Sequence, residues 1–131
     1  MPPAGEKMTP TDGLPELPGI DKQDGLRRMM NKAPLYEKIL RDFHERFRDE
    51  AKLVRAAIVA GDYAMAERRI HSTKGLAGSI GAIGLQDAAR MLENALRQNA
   101  DPDAAVVEHF ESELHTVIDG IAQGFAIGPV V

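Results

Sequence analysis

Residues 70–82 read Ile-His-Ser-Thr-Lys-Gly-Leu-Ala-Gly-Ser-Ile-Gly-Ala, and the interpretation of the whole chain starts from this stretch. With 3.6 residues per turn, its branched and small residues fall on one face of a helix, whereas His71, Gly75 and Gly78 fall on the opposite face. A glycine inside a helix costs roughly 1 kcal/mol relative to alanine. We therefore expect an exposed histidine beside bare backbone, with both glycines retained so that a partner protein can come very close to His71.

Apolar residues recur at helical spacing on both sides of this stretch, and no alternating strand pattern occurs. The pattern and its capping residues predict helices over 22–30, 34–61, 85–99 and 103–124, and a helix that begins at 62 and ends at Gly81 or Gly84. The connections between the last four helices are short, which makes sequential neighbours antiparallel. The predicted fold is all-α, an antiparallel up-down-up-down four-helix bundle with a short N-terminal cap helix.

Proline and glycine are concentrated in the first 18 residues, where they break helices and leave no apolar periodicity. We interpret residues 1–18 as a flexible tail or linker, residues 19–126 as the bundle and residues 127–131 as a C-terminal tail. The tail is typical both of a free-standing protein and of a module at the end of a longer kinase, and the sequence leaves both open.

The composition excludes several classes of function. The chain has 131 residues and no cysteine, so disulfide frameworks and thiolate metal sites are ruled out. Its net charge of -4 is unlike that of a nucleic-acid-binding protein, and no apolar run reaches the ~20 residues of a membrane span. We expect a cytoplasmic monomer with no nucleic-acid or membrane partner.

Helical geometry places a small group of side chains around His71, within about 60° on the wheel. An exposed imidazole is largely unprotonated near neutral pH and therefore nucleophilic, and a neighbouring ammonium group offsets the charge of an incoming phosphoryl group. No metal site is predicted, because the Glu67 and His71 pair faces solvent without matching ligands from other helices. The residues that share this face are Ala64, Glu67, Arg68, Lys74, Gly75 and Gly78.

The run 71–75, His-Ser-Thr-Lys-Gly, is followed by Ile-Gly-Ala at 80–82 and Leu-Glu at 92–93. Together these residues resemble the signature of histidine-containing phosphotransfer (HPt) domains of bacterial multistep phosphorelays. The run 17–21, Leu-Pro-Gly-Ile-Asp, is similar to the lead-in of HPt modules that end hybrid sensor kinases. The resemblance therefore covers roughly residues 17–124.

The resemblance implies that His71 accepts a phosphoryl group from a receiver-domain aspartyl phosphate and passes it to another receiver aspartate. It implies that Lys74 contacts the phosphate and that Gly75 permits close approach of the receiver's loops. It implies no cofactor on this chain, since the Mg²⁺ used in transfer belongs to the partner receiver. With no glycine loop that could cradle a nucleotide, the chain is expected to be a phosphotransfer intermediate rather than an enzyme with its own ATP site.

Two other functions stay open from the sequence. The bundle could be a non-catalytic interaction module that binds receivers or kinases, or the histidine-bearing domain phosphorylated by a chemotaxis-type kinase. A basic stripe on the predicted second helix is likewise ambiguous, because it could steer an acidic receiver or form an ordinary solvated face. This stripe consists of Arg41, His44, Arg48, Lys52 and Arg55.

Overall fold

The computed structural model describes residues 13–128, which form six α-helices and contain no β-strand. The helices are α1 (Lys22–Arg28), α2 (Ala33–Phe47), α3 (Glu50–Val59), α4 (Tyr63–Ile80), α5 (Ile83–Arg97) and α6 (Ala104–Gly124). Helices α4, α5 and α6 form three columns of a bundle, and α2 with α3 forms the fourth. The short α1 packs against α2 and α4. The predicted all-α bundle with an N-terminal cap helix is confirmed.

Aspartate side chains begin three of the helices. Asp21, Asp62 and Asp103 each accept a hydrogen bond from a backbone N–H in the first turn of α1, α4 and α6. These bonds satisfy N–H groups that have no partner inside the helix. At the other end of α4, Gly81 adopts a left-handed conformation with φ +84°, which ends the helix. The capping residues seen in the sequence therefore set these boundaries.

The face of α4 that the sequence marks as apolar is buried in the core. Ile70, Ala77 and Ile80 are at most 1% exposed, and Thr73 lies buried among them. The Thr73 hydroxyl donates to the Arg69 carbonyl at 3.0 Å, so its polarity is satisfied within the helix. Because this face points inward, the His71 face points outward. None of the helices within residues 13–128 combines the length and apolar character needed to cross a membrane.

The prediction of one long helix over 34–61 is wrong, because two helices occupy this range. Helix α2 ends at Phe47 and α3 begins at Glu50, with Asp49 at φ -106° and ψ 6° between them. Aspartate is a poor helix former in a helix interior, although the Asp49 side chain makes no capping hydrogen bond to α3. The apolar periodicity conceals this break, since Phe47 and Val54 are both buried on either side of it.

The prediction of a flexible tail over 1–18 is wrong for its last residues. Leu17 is buried in the core, Pro18 packs against Gly120 of α6, and Pro15 packs against Gly124. The prolines prevent a helix here, but they fit against a helix surface on which glycines leave space. Residues 1–12 lie outside the described residues, as do 129–131 of the predicted C-terminal tail, whereas Ile127 packs against the core.

Candidate functional site

His71 lies in the middle of α4 with two-thirds of its side chain, 66%, exposed to solvent. Its Nδ1 atom is 2.6 Å from Oε2 of Glu93 on α5. An ionised carboxylate only accepts hydrogen bonds, so Nδ1 carries the hydrogen and donates it to Glu93. When the ring is neutral, the lone pair is therefore on Nε2 of a largely exposed ring. In its neutral form, the ring thus offers Nε2 as a nucleophile.

Glu93 is the buried anchor of the site, with a side chain only 1% exposed. Besides His71, it accepts a 2.6 Å hydrogen bond from Lys74 Nζ, and Arg97 Nη2 lies 3.5 Å from its Oε2. Burial raises the pKa of Glu93, but the hydrogen bonds from Lys74 and His71 outweigh it and hold the pKa below its usual range. The carboxylate is therefore ionised at neutral pH.

Sequence reasoning placed Glu93 in the motif but gave it no role in the site. A signal was present, because Glu93 occupies the position four residues after Ala89 and three before Leu96 on the otherwise apolar, buried stripe of α5. A carboxylate on a buried stripe requires partners of opposite charge or hydrogen-bond donors. Those partners come from α4, which the sequence of α5 alone does not specify.

Helices α4 and α5 run antiparallel in a register that aligns polar residues in pairs. Arg97 Nε donates to Glu67 Oε1 at 2.7 Å, one helical turn from the His71 and Glu93 pair. The hydrogen bond that Arg97 donates to Glu67 raises the pKa of Arg97 above its usual value. Glu67, His71 and Lys74, which the sequence predicted to share one face of α4, are therefore brought together by contacts with α5.

The two glycines on the His71 face have different environments. Gly75 is exposed, and a Cβ atom added there meets nothing within 4 Å, in agreement with the predicted bare backbone. Gly78 is buried, and an added Cβ would overlap the side-chain amide of Gln86 on α5. The prediction of bare backbone is wrong for Gly78, because the register of α5 places Gln86 over it. Ala64 and Arg68 are exposed, as predicted.

The predicted basic stripe is not a continuous surface. The break between α2 and α3 divides it, and His44 is buried at 8% exposure. Arg41 bonds to Glu37 and stacks over the ring of Phe125. At the other end of the stripe, Arg55 forms a bidentate pair with a glutamate of α6. The pattern therefore reflects ion pairs within α2 and between α3 and α6 rather than one basic face.

Within residues 13–128, no group of three or more histidine, aspartate or glutamate side chains is arranged to hold a metal ion. The cations that surround Glu93 are instead the side chains of Lys74 and Arg97. The donor set of the site thus consists of one imidazole, one carboxylate and amine or guanidinium groups. Such a set suits anionic ligands and proton or phosphoryl chemistry at nitrogen.

The family model of the Hpt domain matches residues 38–124, which include His71, Lys74, Gly75 and Glu93. The chain belongs to the Hpt domain family. Hpt domains carry out histidine phosphotransfer in two-component phosphorelays and interact there with receiver domains, and they are not kinases with an ATP site of their own. This membership makes His71 the natural candidate for the phosphorylated histidine.

A solved structure supports the Hpt fold. The crystal structure of the HPt domain from a sensor hybrid histidine kinase of Shewanella is similar with a TM-score of 0.74. The two sequences are 17% identical, and the match covers 86% of this chain and 97% of the Shewanella domain. At this identity the likeness concerns the fold. No curated protein is similar enough in sequence to count as a match.

Proposed function

We propose that this Hpt domain is a phosphorelay intermediate that accepts a phosphoryl group on His71 from a receiver-domain aspartyl phosphate and passes it to another receiver aspartate. The observation that carries the proposal is the 2.6 Å contact between His71 Nδ1 and the buried Glu93 carboxylate. This contact favours the neutral ring with its hydrogen on Nδ1, in which Nε2 is the nucleophile.

The proposed step needs no proton transfer. The Nε2 lone pair attacks phosphorus, the N–P bond forms, and the P–O bond to the receiver aspartate breaks, so that the aspartate leaves as a carboxylate. The phosphorylated ring is then positively charged. Its Nδ1–H group continues to donate a hydrogen bond to Glu93. Attack by a second receiver aspartate reverses these bond changes. The Glu93 carboxylate stabilises the charged ring throughout, which makes it a positioning residue for His71.

We assign Lys74 two tasks in this step. Its ammonium group holds Glu93 through a 2.6 Å hydrogen bond, and its positive charge offsets the charge of the incoming phosphoryl group. A quarter of the Lys74 side chain, 26%, is exposed, so its charge also acts on the solvent side where a receiver would dock. Loss of this charge is expected to slow transfer without unfolding the helix.

The receiver is proposed to dock on the exposed face of α4. Gly75 offers backbone with no side chain, and Ala64 and Arg68 lie on the same face. The Mg²⁺ required for transfer is expected in the acidic pocket of the receiver, so that this chain supplies the imidazole and the receiver supplies the metal. Chelation with EDTA should then stop transfer without changing the fold of this chain.

The test is incubation with a panel of receiver domains phosphorylated by radiolabelled acetyl phosphate. Label is expected on this chain, acid-labile and alkali-stable, and absent from His71→Gln. The matched control is His115→Gln, another exposed histidine, which should label like the wild type. Label that persists in His71→Gln would overturn the assignment. Receiver binding without label would favour an interaction module, and label only from an ATP-bound kinase domain would favour the chemotaxis-type alternative.

Variants of the supporting residues test their roles in the same assay. Lys74→Ala should slow transfer by roughly tenfold or more, because an electrostatic contribution to the transition state is lost. Glu93→Ala should slow it as well, whereas Glu93→Gln should recover part of the rate, because an amide oxygen still accepts the Nδ1 hydrogen bond. Equal rates for Glu93→Ala and the wild type would remove the positioning role of Glu93.

A further inference from the structure

Arg97 lies between two carboxylates at the edge of an open pocket beside His71. Its Nε bonds to Glu67 at 2.7 Å, and its Nη2 lies 3.5 Å from Glu93. The same Glu93 oxygen, Oε2, also accepts the bond from His71 Nδ1, so one atom links the guanidinium and the imidazole. The pocket has a volume of about 330 Å³ and is lined by Glu67, Arg68, His71, Ser72, Glu93 and Arg97.

We propose that this pocket receives the phosphoryl group once His71 carries it, and that Arg97 then leaves Glu67 and binds the phosphoryl oxygens. In the unphosphorylated protein, Glu67 accepts the hydrogen bond from Arg97 and so keeps the guanidinium group beside the His71 ring. This inference rests on the proposed function, because it requires a phosphoryl group on His71. It assigns Arg97 as the phosphoryl-binding residue and Glu67 as its competitor.

The exchange is favoured by the exposure and charge of the groups involved. The side chains of Arg97 and Glu67 are 54% and 32% exposed, and such solvent-accessible ion pairs contribute little net stability. A phosphoryl group carries about -1.5 to -2 charges and presents oxygens that match the guanidinium fork. The same charge repels Glu67, which lies one turn from His71 on the same face of α4. The guanidinium therefore gains a stronger partner when it moves.

Lys74 is less available for this direct contact than Arg97. Its ammonium group forms a 2.6 Å bond to the buried Glu93, and withdrawing it would leave that carboxylate with less compensation. Arg97 approaches Glu93 only at 3.5 Å and makes its short bond to the more exposed Glu67. The structure thus separates the two cations: Lys74 is bonded to the buried Glu93, whereas Arg97 can exchange the exposed Glu67 for the phosphoryl group.

The test uses phosphoramidate as the phosphoryl donor, so that no receiver is needed. Nε2 attacks phosphorus, the N–P bond to His71 forms, and the P–N bond of phosphoramidate breaks with departure of ammonia. Phosphorylation at His71 is located by mass spectrometry, and deprotonation of the phosphorylated imidazole ring is then followed in a pH titration through the ³¹P NMR shift of its phosphoryl group. The midpoint of this titration reports charges that lie beside the phosphorylated ring, which a merely structural residue would not change.

Substitutions of Arg97 and of Glu67 should shift the midpoint of the titration in opposite directions. Arg97→Ala removes a cation beside the phosphorylated ring and so makes the ring easier to protonate, and its midpoint should rise by roughly 0.5 pH unit. Glu67→Gln removes both a nearby anion and the competitor for Arg97, so its midpoint should fall. The matched control is Arg55→Ala, which breaks another arginine–glutamate pair between helices, on α3 and α6, and should leave the midpoint unchanged.

Failure of this inference differs from failure of the proposed function. A wild-type chain that gains no label at His71 from any phosphorylated receiver would contradict the proposed function itself. A wild-type chain phosphorylated at His71, with Arg97→Ala titrating like the wild type, would overturn the role of Arg97 alone. A midpoint that rises in both Arg97→Ala and Glu67→Gln would contradict the exchange, because Glu67 would then support the phosphoryl group. Circular dichroism of each variant verifies that the fold is retained.

Discussion

The middle of α4 and its C-terminal end both contain a glycine, and the two glycines face opposite constraints. At Gly75, in the middle, an added Cβ atom meets nothing within 4 Å. At Gly81, the end, φ is +84° and an added Cβ would overlap the Asp21 carbonyl oxygen. Moreover, the Asp21 N–H donates to the Gly81 carbonyl at 2.8 Å. Folding therefore requires glycine at the end of α4, but nothing inside the chain requires it at position 75.

The side chains around Gly81 are closely packed, whereas those around Gly75 reach solvent. Near the end, Gly25 of α1 leaves no space for a Cβ atom beside the Tyr36 ring, and the Tyr36 hydroxyl donates to the Ile80 carbonyl at 2.7 Å. In the middle, His71 and Lys74 reach solvent and share the carboxylate of Glu93. The end of α4 is thus built from close backbone packing, and the middle from accessible polar groups.

The largest effect is expected for Gly81→Ala. The substitution places a side chain at positive φ and against the backbone of Asp21, which cannot move independently of α1, so we expect a loss of about 3 kcal/mol in the free energy of unfolding. Denaturant titration measures it. Gly61→Ala is the matched control, because Gly61 has φ +75° with open space around it, and it should cost only about 1 kcal/mol. Equal losses would show that α1 does not constrain Gly81.

A smaller loss is expected for Tyr36→Phe. The substitution leaves the buried Ile80 carbonyl without its hydrogen bond from Tyr36, at a cost of about 1–2 kcal/mol. Tyr63→Phe is the control, since the Tyr63 hydroxyl bonds to the exposed Asp101 and water can replace it. Thermal unfolding of the two variants should therefore rank Tyr36→Phe below Tyr63→Phe. The reverse order would contradict the view that close packing dominates this end of α4.

Much of the fold follows from local sequence, because helical periodicity and capping residues act within a few residues of one another. The Asp62 cap and the Gly81 terminus define α4 in this way. The break at Asp49 escapes such reasoning, since no glycine or proline marks it and the apolar period continues across it. The packing of Leu17 escapes it as well, because a proline-rich segment carries no periodicity from which burial could be inferred.

The candidate site also has features that local sequence predicts and features that it does not predict. The exposure of His71 follows from the angular spacing of residues around a single helix. The same spacing places Lys74 close to His71. Glu93 lies 22 residues away on α5, and its contact with both side chains depends on the register between two helices. That register also places Gln86 over Gly78. Interhelical register results from packing of whole faces, which the periodicity of a single helix does not encode.

Acid should destabilise the middle of α4 more than its end. The folded-state pKa of Glu93 lies below its ordinary value of 4.5, so its stabilisation is fully present above that pH. It is lost as the pH falls through the lowered, folded-state pKa. The wild type should therefore lose its stability advantage over Glu93→Gln in acid, as measured by urea unfolding across pH 2–7.

The end of α4 offers a control for this acid effect. Burial raises the pKa of Tyr36 above its ordinary value, so the hydroxyl stays neutral throughout the acid range. The stability difference between the wild type and Tyr36→Phe should accordingly be independent of pH between 2 and 7. A difference that changes as steeply as that of Glu93→Gln would mean that the acid sensitivity does not arise from the site.

The smallest change in stability is expected for substitutions of Gly75. A side chain at this position should stabilise the helix but slow phosphotransfer. Gly75→Ala should stabilise α4 by up to ~1 kcal/mol, because alanine restricts the unfolded chain and meets no neighbour. Gly78→Ala should gain less, since Gln86 must move aside. If Gly75 serves receiver docking, a bulkier Gly75→Leu should slow phosphotransfer while Gly78→Ala leaves it unchanged. Gly75→Leu with a wild-type transfer rate would show that the open backbone at position 75 has no part in docking, and that the middle of α4 tolerates side chains its sequence happens to lack.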